Sequence, residues 1–263
     1  MLRRKKCPGS TPDTVSSGVD AKTIWMFEEA ALSDRTDIEE TEKLVQAAAH
    51  ALARAGLVHA YGHCSARLDD SCFLVCAAGP MGLAHLGHGS LCHVNGALPE
   101  GVLGEVRVHQ QIYRLRKEIR GVCRIMPPAT MALSAVGVAP APRHGIGAFL
   151  GDGPAFWQDP RLLRDDKAAA ALAAAMGNSN CIVMRGNGAV TAADSLEKAV
   201  TLAWFLEDAA RVEERARRLG YVDDGRLSEE EIVARNNWSG GVVERMWRYL
   251  TDASRVGSYD NNR

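Results

Sequence analysis

The sequence predicts an α/β fold built around a largely antiparallel sheet, and three observations carry that reading. Short apolar runs flank the turn residues Asp69-Asp70-Ser71, and a second pair flanks Asn95-Gly96, the pattern of β-hairpins. From Gly121 onward, short apolar strands alternate with segments of helical period. The 263 residues are 46% hydrophobic and 24% charged, enough to bury a sizeable core. The expected organisation is a disordered N-terminal arm over 1–30, one α/β domain over 31–220 and a helical C-terminal appendage over 221–263.

The arm is rich in Ser, Thr, Pro and Gly and has no period. Thr36 with Glu39 reads as a capping box opening an amphipathic helix that Gly56 stops, with Leu44, Ala48, Ala51, Leu52 and Ala55 on one face. The hairpins are Cys64–Leu68 with Cys72–Ala77, and Leu91–Val94 with Ala97–Leu98. Glu105–Arg116 resumes helical spacing, Gly121–Met126 is a buried strand, and Pro127-Pro128 opens the next helix. Asp159 with Pro160 is expected to start a helix ending at Gly177, followed by a strand Cys181–Met184 that breaks at Gly186-Asn187-Gly188. Asp194 with Glu197 is expected to cap the longest helix, running to about Leu219. Ser228 with Glu231 caps a short helix, and Val242–Leu250 is the last.

Composition excludes several classes of function. Lys+Arg 31 against Asp+Glu 32 leaves a net charge of −1 with no basic stripe, so nucleic acid and anionic membrane are not expected partners. No apolar run approaches the ~20 residues of a membrane span, and the basic start Met1–Lys6 leads into the polar stretch Cys7–Ser17. A cytoplasmic protein is the expectation. The seven cysteines are scattered without a CxxC pair, which reads as reduced, buried thiols rather than a disulfide framework or zinc site.

Four segments in order carry a resemblance. They are Tyr61-Gly62-His63-Cys64-Ser65-Ala66-Arg67; Glu105 followed by His109-Gln110-Gln111-Ile112-Tyr113; Pro127-Pro128-Ala129-Thr130-Met131-Ala132-Leu133-Ser134; and Arg185-Gly186-Asn187-Gly188-Ala189-Val190 leading into Asp194–Ala199. Together they resemble the class II aldolase/adducin superfamily over about Thr36–Leu219. That resemblance implies a three-layer α/β/α domain with a central, largely antiparallel sheet. It also implies a homo-oligomer, most simply a tetramer with its active sites between subunits. Trp238, Trp247 and Tyr249 would then be interface or lid residues, or would cap their own subunit's core.

The departures from the family pattern bear on chemistry. The superfamily places a His-x-His before the Pro-Pro segment and a third His in the Arg-x-His-Gly turn as ligands of a divalent metal. Arg124, Met126 and Asn187 stand at those positions, so no metal and no other cofactor is expected. His85, His88 and His93, and the pair His59 and His63, do not match a metal-ligand spacing and read as loop and turn residues. Glu105 occupies the position of the family's general acid/base, although a lone Glu opening a helix is also what the helix dipole favours. Arg124 is expected to stabilise an oxyanion in place of the metal, or to fill the vacated space in a local ion pair.

The family's sugar-phosphate aldolases carry Ser-Ser before the catalytic Glu and Gly-Asn-x-Ser in the first loop. Here those positions read Leu103-Gly104 and Gly62-His63-Cys64-Ser65, so a phosphate cradle is missing. The Gly-His-x-Ser form, and Gly147–Gly151 after His144, resemble the decarboxylase-like branch. His63, Ser65, Met126, His144 and Asn187 are therefore the expected substrate-binding residues, with Glu105 and Arg124 catalytic. The expected function is a metal-independent lyase acting on a small non-phosphorylated keto- or hydroxy-acid, by decarboxylation or C–C cleavage through an enolate. The alternatives are a cyclase, epimerase or dehydratase of specialised metabolism on the same fold, or a non-catalytic, adducin-like oligomerisation module.

Overall fold

A computed structural model describes residues 21–252. The elements in chain order are α1 (Ala21–Arg54), β1 (His63–Arg67), β2 (Cys72–Val75), β3 (Ser90–His93), α2 (Arg107–Leu115), β4 (Gly121–Ile125) and α3 (Pro128–Ala135). There follow β5 (Ala155–Trp157), α4 (Asp166–Met176), β6 (Cys181–Met184), β7 (Ala189–Ala193), α5 (Leu196–Arg218), α6 (Glu229–Arg235) and α7 (Val242–Thr251). The strands form one seven-stranded sheet in the order β3-β2-β1-β4-β7-β6-β5. All neighbours are antiparallel except β5 and β6, which run parallel.

Strand alternation divides the core into two layers of side chains. Cys64, Ala66, Cys123 and Ile125 face Val45 and Leu52 of α1, Leu196–Leu206 of α5 and Leu250 of α7. Phe73, Val75, Val122 and Ile182 face Ile112 and Tyr113 of α2 and Leu172 and Met176 of α4. Helices thus cover both faces, as the three-layer expectation requires. Gly121 is needed at the start of β4, because a Cβ there would lie 2.3 Å from the Leu196 Cα where α5 begins.

Several local expectations are corrected. The first helix starts at Ala21, so Thr36 lies inside it and residues 21–30 are helical; Ala21–Arg35 contains no Gly or Pro to stop the helix upstream. The remainder of the expected arm, residues 1–20, lies outside the described residues. Ala97–Leu98 forms no strand: β3 pairs with β2, and the Asn95-Gly96 turn leads away from the sheet. The helix ending at Gly177 begins at Asp166, not near Pro160, with Asp165 accepting from the Ala168 N–H at 2.8 Å. Asp159 instead holds Arg161. The cap of α5 is Ser195, which accepts from the Lys198 N–H, while Asp194 pairs with the Lys198 ammonium at 3.0 Å. The strands β5 and β7 were not anticipated.

The capping box at Ser228 and Glu231 is present. Trp238 stacks on Phe205 and meets Phe149 edge-on within its own chain, and Trp247 and Tyr249 pack on the core between α1 and α5.

Candidate active site

The register of β1 against β4 sets His63 directly opposite Arg124. Alternation then puts His63, Ser65, Arg67 and Arg124 on the sheet face that α2 covers. On α2, His109 and Tyr113 are four residues apart and so share the side of the helix that meets β1. Glu105 lies in the 3-10 turn Gly104–Val106 that leads into this helix. Asn187 sits at the tip of the β6–β7 turn, between Gly186 and Gly188, which both adopt positive φ. At Gly188 a Cβ would lie 2.0 Å from the Ile125 carbonyl oxygen, so the turn closes tightly over the end of β4.

These elements bring four of the expected residues together. The Arg124 guanidinium, 5% exposed, lies 3.5 Å from Glu105 Oε2 through Nε and donates from Nη2 to Asn187 Oδ1 at 2.7 Å. Burial draws the Arg124 pKa down and Glu105 opposes that shift, while the group stays a cation. Glu105 Oε1 is buried and has no hydrogen-bond partner. His63 is buried beside this cluster, and its Nε2 is also unpartnered.

Behind His63 runs a line of hydrogen bonds. His63 Nδ1 lies 2.9 Å from His109 Nε2, His109 Nδ1 lies 2.7 Å from Ser65 Oγ, and Ser65 Oγ lies 2.9 Å from the Tyr113 hydroxyl. The Tyr113 hydroxyl donates to the Ser65 carbonyl at 3.0 Å. Burial, with Arg124 nearby, lowers the His109 pKa to about 3; burial, then His109 and Arg124, hold His63 well below the usual imidazole range. Both rings are therefore neutral at physiological pH.

Ser65 was expected on the substrate side, but its hydroxyl is fully buried and engaged by His109 and Tyr113. Met126 is half-buried, with its N–H held by the Leu57 carbonyl at 2.9 Å. His144 is positioned by its own loop: its Nδ1 accepts from the Gly147 N–H at 2.8 Å, and Asp208 Oδ2 of α5 lies 3.3 Å from its Nε2. Among the described contacts none joins His144 to the Arg124 cluster. His109 and Tyr113 are the site residues not singled out from the sequence. Their signal was present, since a His and a Tyr one helical turn apart on a buried face match the alternate positions 63 and 65 of a strand. Cys64 and Cys123 lie on the other sheet face, and burial raises the Cys123 thiol, which removes both as nucleophiles.

The positions Arg124, Met126 and Asn187 do not fit a divalent metal. A guanidinium has no lone pair to give, a thioether is a poor partner for a hard cation, and the Asn187 oxygen is already taken by Arg124. Among the described residues, no group of three or more His, Cys, Asp or Glu side chains is arranged to hold one.

Residues 43–213 match the sequence profile of the class II aldolase and adducin N-terminal domain. The chain belongs to this family. Within it, a 3,4-dihydroxyphthalate decarboxylase of Terrabacter sp. (strain DBF63) is 28% identical over 236 residues, covering 82% of this chain and 96% of the relative. A second enzyme of that name, from Arthrobacter keyseri, is 30% identical over 188 residues, covering 62% and 73%. Among solved structures, an aldolase II superfamily protein from Pseudomonas syringae superposes with a TM-score of 0.69 at 21% identity, over 80% of this chain and 90% of that one. The L-fuculose 1-phosphate aldolase from Glaciozyma antarctica PI12 gives 0.68 at 17% identity, over 81% and 88%. These two structural likenesses show the class II aldolase fold.

Proposed function

We propose that this family member is a lyase that decarboxylates a small, non-phosphorylated hydroxy-acid without a metal. The observation that carries this reading is the buried cluster of Arg124, Glu105 and Asn187, in which a cation stands where the metal-binding resemblance would put an imidazole and Glu105 Oε1 is left without a partner. The decarboxylase relatives support the reaction type, and the absence of the Ser-Ser pair before Glu105 supports a substrate without phosphate.

The chemistry follows from the charges. The substrate carboxylate, or the oxyanion beside it, docks on Arg124, whose planar fork suits a pair of oxygens. Glu105 then loses its own cation and gains an anionic neighbour, both of which favour its taking up a proton. With a hydroxylated aromatic acid, Glu105 first delivers its proton to the ring carbon that bears the carboxylate and becomes a carboxylate itself. The C–CO2 bond then breaks and its electron pair returns to the ring, restoring the aromatic phenol, while Arg124 stabilises charge on the ring oxygen. With a β-keto acid cleavage comes first, the pair passes into an enolate oxygen that Arg124 stabilises, and Glu105 then protonates the carbon. In both cases Glu105 is recharged from water. Carbon dioxide and the protonated product leave.

The test is CO2 release from a panel of hydroxylated aromatic and aliphatic acids that begins with 3,4-dihydroxyphthalate. Glu105→Gln keeps shape but has no transferable proton, so turnover should fall by about 10²–10⁴-fold with the fold unchanged. Dialysis against EDTA should leave turnover as it was. Activity lost to EDTA and restored by a divalent ion would overturn metal independence; unaltered turnover in Glu105→Gln would overturn the role of Glu105.

A further inference from the structure

We infer that His63 presents a bare Nε2 lone pair to the site, held as an acceptor by the line of hydrogen bonds through His109, Ser65 and Tyr113, and that it binds a hydroxyl hydrogen of the substrate. This inference rests on the lyase reading and names the group that the substrate must carry beside its carboxylate.

The assignment comes from counting hydrogens. Each member of the line has one to give: the Tyr113 hydroxyl, the Ser65 hydroxyl and one ring N–H on each neutral imidazole. There are four contacts to satisfy, from Tyr113 to the Ser65 carbonyl, Tyr113 to Ser65 Oγ, Ser65 Oγ to His109 Nδ1, and His109 Nε2 to His63 Nδ1. The Tyr113 hydrogen is spent on the carbonyl, so the Ser65 hydroxyl must donate to the Tyr113 oxygen. Ser65 Oγ is then an acceptor toward His109, which places the His109 hydrogen on Nδ1. His109 Nε2 accepts in turn, which places the His63 hydrogen on Nδ1. No hydrogen is left for His63 Nε2, the atom that has no partner in the protein. A backbone carbonyl at the far end of the line therefore decides the polarity of the group at the site.

An acceptor there, opposite Arg124 on the neighbouring strand, selects a ligand that offers an anion and a hydroxyl side by side. A hydroxyl held at Nε2 is kept in place as charge develops on its oxygen during C–C cleavage. Such a pairing suits an acid with a neighbouring phenol or enol. His63 touches substrate in this reading; His109, Ser65 and Tyr113 are positioning residues.

The experiment is 15N NMR of the full chain labelled at its histidine ring nitrogens, with His63→Gln for assignment, using 2,3-dihydroxybenzoate and 2,3-dimethoxybenzoate as probes. In the resting protein His63 Nε2 should show the pyridine-type shift of an unprotonated nitrogen. Only the dihydroxy probe should move it. Tyr113→Phe frees the Ser65 hydrogen to turn toward His109 Nδ1, so His109 and His63 should both change tautomer and the dihydroxy probe should bind about fivefold more weakly. A protonated Nε2 in the resting wild-type protein overturns the assignment, as does a Tyr113→Phe protein with wild-type tautomers and wild-type probe affinity. The resting spectrum decides this without any turnover, so its failure is separate from a failure of the lyase reading, which Glu105→Gln reports.

Discussion

In the reaction we propose, the chemistry turns on Arg124, a buried cation with an acid on one side and an amide on the other. Arg124→Lys keeps the charge and loses the fork, so KM for a carboxylate substrate should rise several-fold while much of kcat survives. Arg124→Met removes the charge as well and should depress both binding and turnover. Wild-type kinetics in Arg124→Lys would mean that the fork plays no part, and equal kinetics for the two variants would mean that the charge alone contributes nothing. Asn187 belongs to the same argument, since its oxygen orients the guanidinium from the β6–β7 turn. The site residues were unevenly legible in the sequence. Glu105, Arg124, Asn187 and His63 stand out by their place in recognisable motifs, whereas Ser65 looks like a substrate contact until the packing of α2 on β1 shows its hydroxyl engaged. His109 and Tyr113 share one face of a helix by their spacing, but nothing local says that this face will lie against residues 63 and 65.

At the level of elements, the turn carrying Asn187 is the most demanding piece of backbone. Gly186 and Gly188 have φ of +62° and +76°, yet only at Gly188 would a Cβ collide, with the Ile125 carbonyl. Gly186→Ala should cost about 1–2 kcal/mol, the strain of left-handed backbone alone, and Gly188→Ala more than that, because strand β4 must also move. Urea midpoints for the two proteins check this, and equal losses would contradict the stated geometry. The N-terminus of α5 offers a second comparison. Ser195→Ala removes the capping acceptor and should cost about 1 kcal/mol, while Asp194→Ala loses only a half-exposed pair with Lys198 and should cost less. The carboxylate of Glu207 works in the opposite direction, reaching from α5 to accept from the Ala129 and Thr130 N–H groups at 2.9 and 3.0 Å. This ties the start of α3, and hence the end of β4 beside the site, to the helix behind the sheet.

For the whole molecule, the two buried neutral imidazoles make stability depend on pH. In the unfolded chain they take up protons near 6.5, whereas in the folded chain His109 does so only at about 3 and His63 well below its usual range. Below 6.5 the unfolded chain therefore binds more protons, so stability is full above that pH and falls as pH drops toward 3. The slope reaches about 1.4 kcal/mol per pH unit for each imidazole. Urea midpoints should fall steadily from about pH 7 to about pH 5 in the wild-type protein and more gently in His109→Gln. A flat wild-type profile would contradict the burial of neutral rings. We also propose that the chain assembles as a tetramer, as the resemblance implies, with light scattering at micromolar concentration as the check; a monomer would refute it.

The sequence by itself determined the fold class, most of the helices, the β1–β2 hairpin and the family resemblance. These are properties of local pattern: hydrophobic period, turn chemistry and residue types at motif positions are all written within a few residues of one another. Boundaries failed where two local signals competed, as at Thr36, where a good capping box sits inside a longer run of helix formers, and at Asp194, where the cap belongs to the next residue. What only the tertiary structure decided is which side chains meet. The pairing of β1 with β4 sets His63 beside Arg124, 61 positions away in sequence, and the docking of α2 on β1 joins His109 and Tyr113 to Ser65. Register and helix docking depend on the summed burial of two apolar layers, which no short stretch of chain encodes, and so the polarity of the hydrogen-bond line behind His63 emerges only in the folded protein.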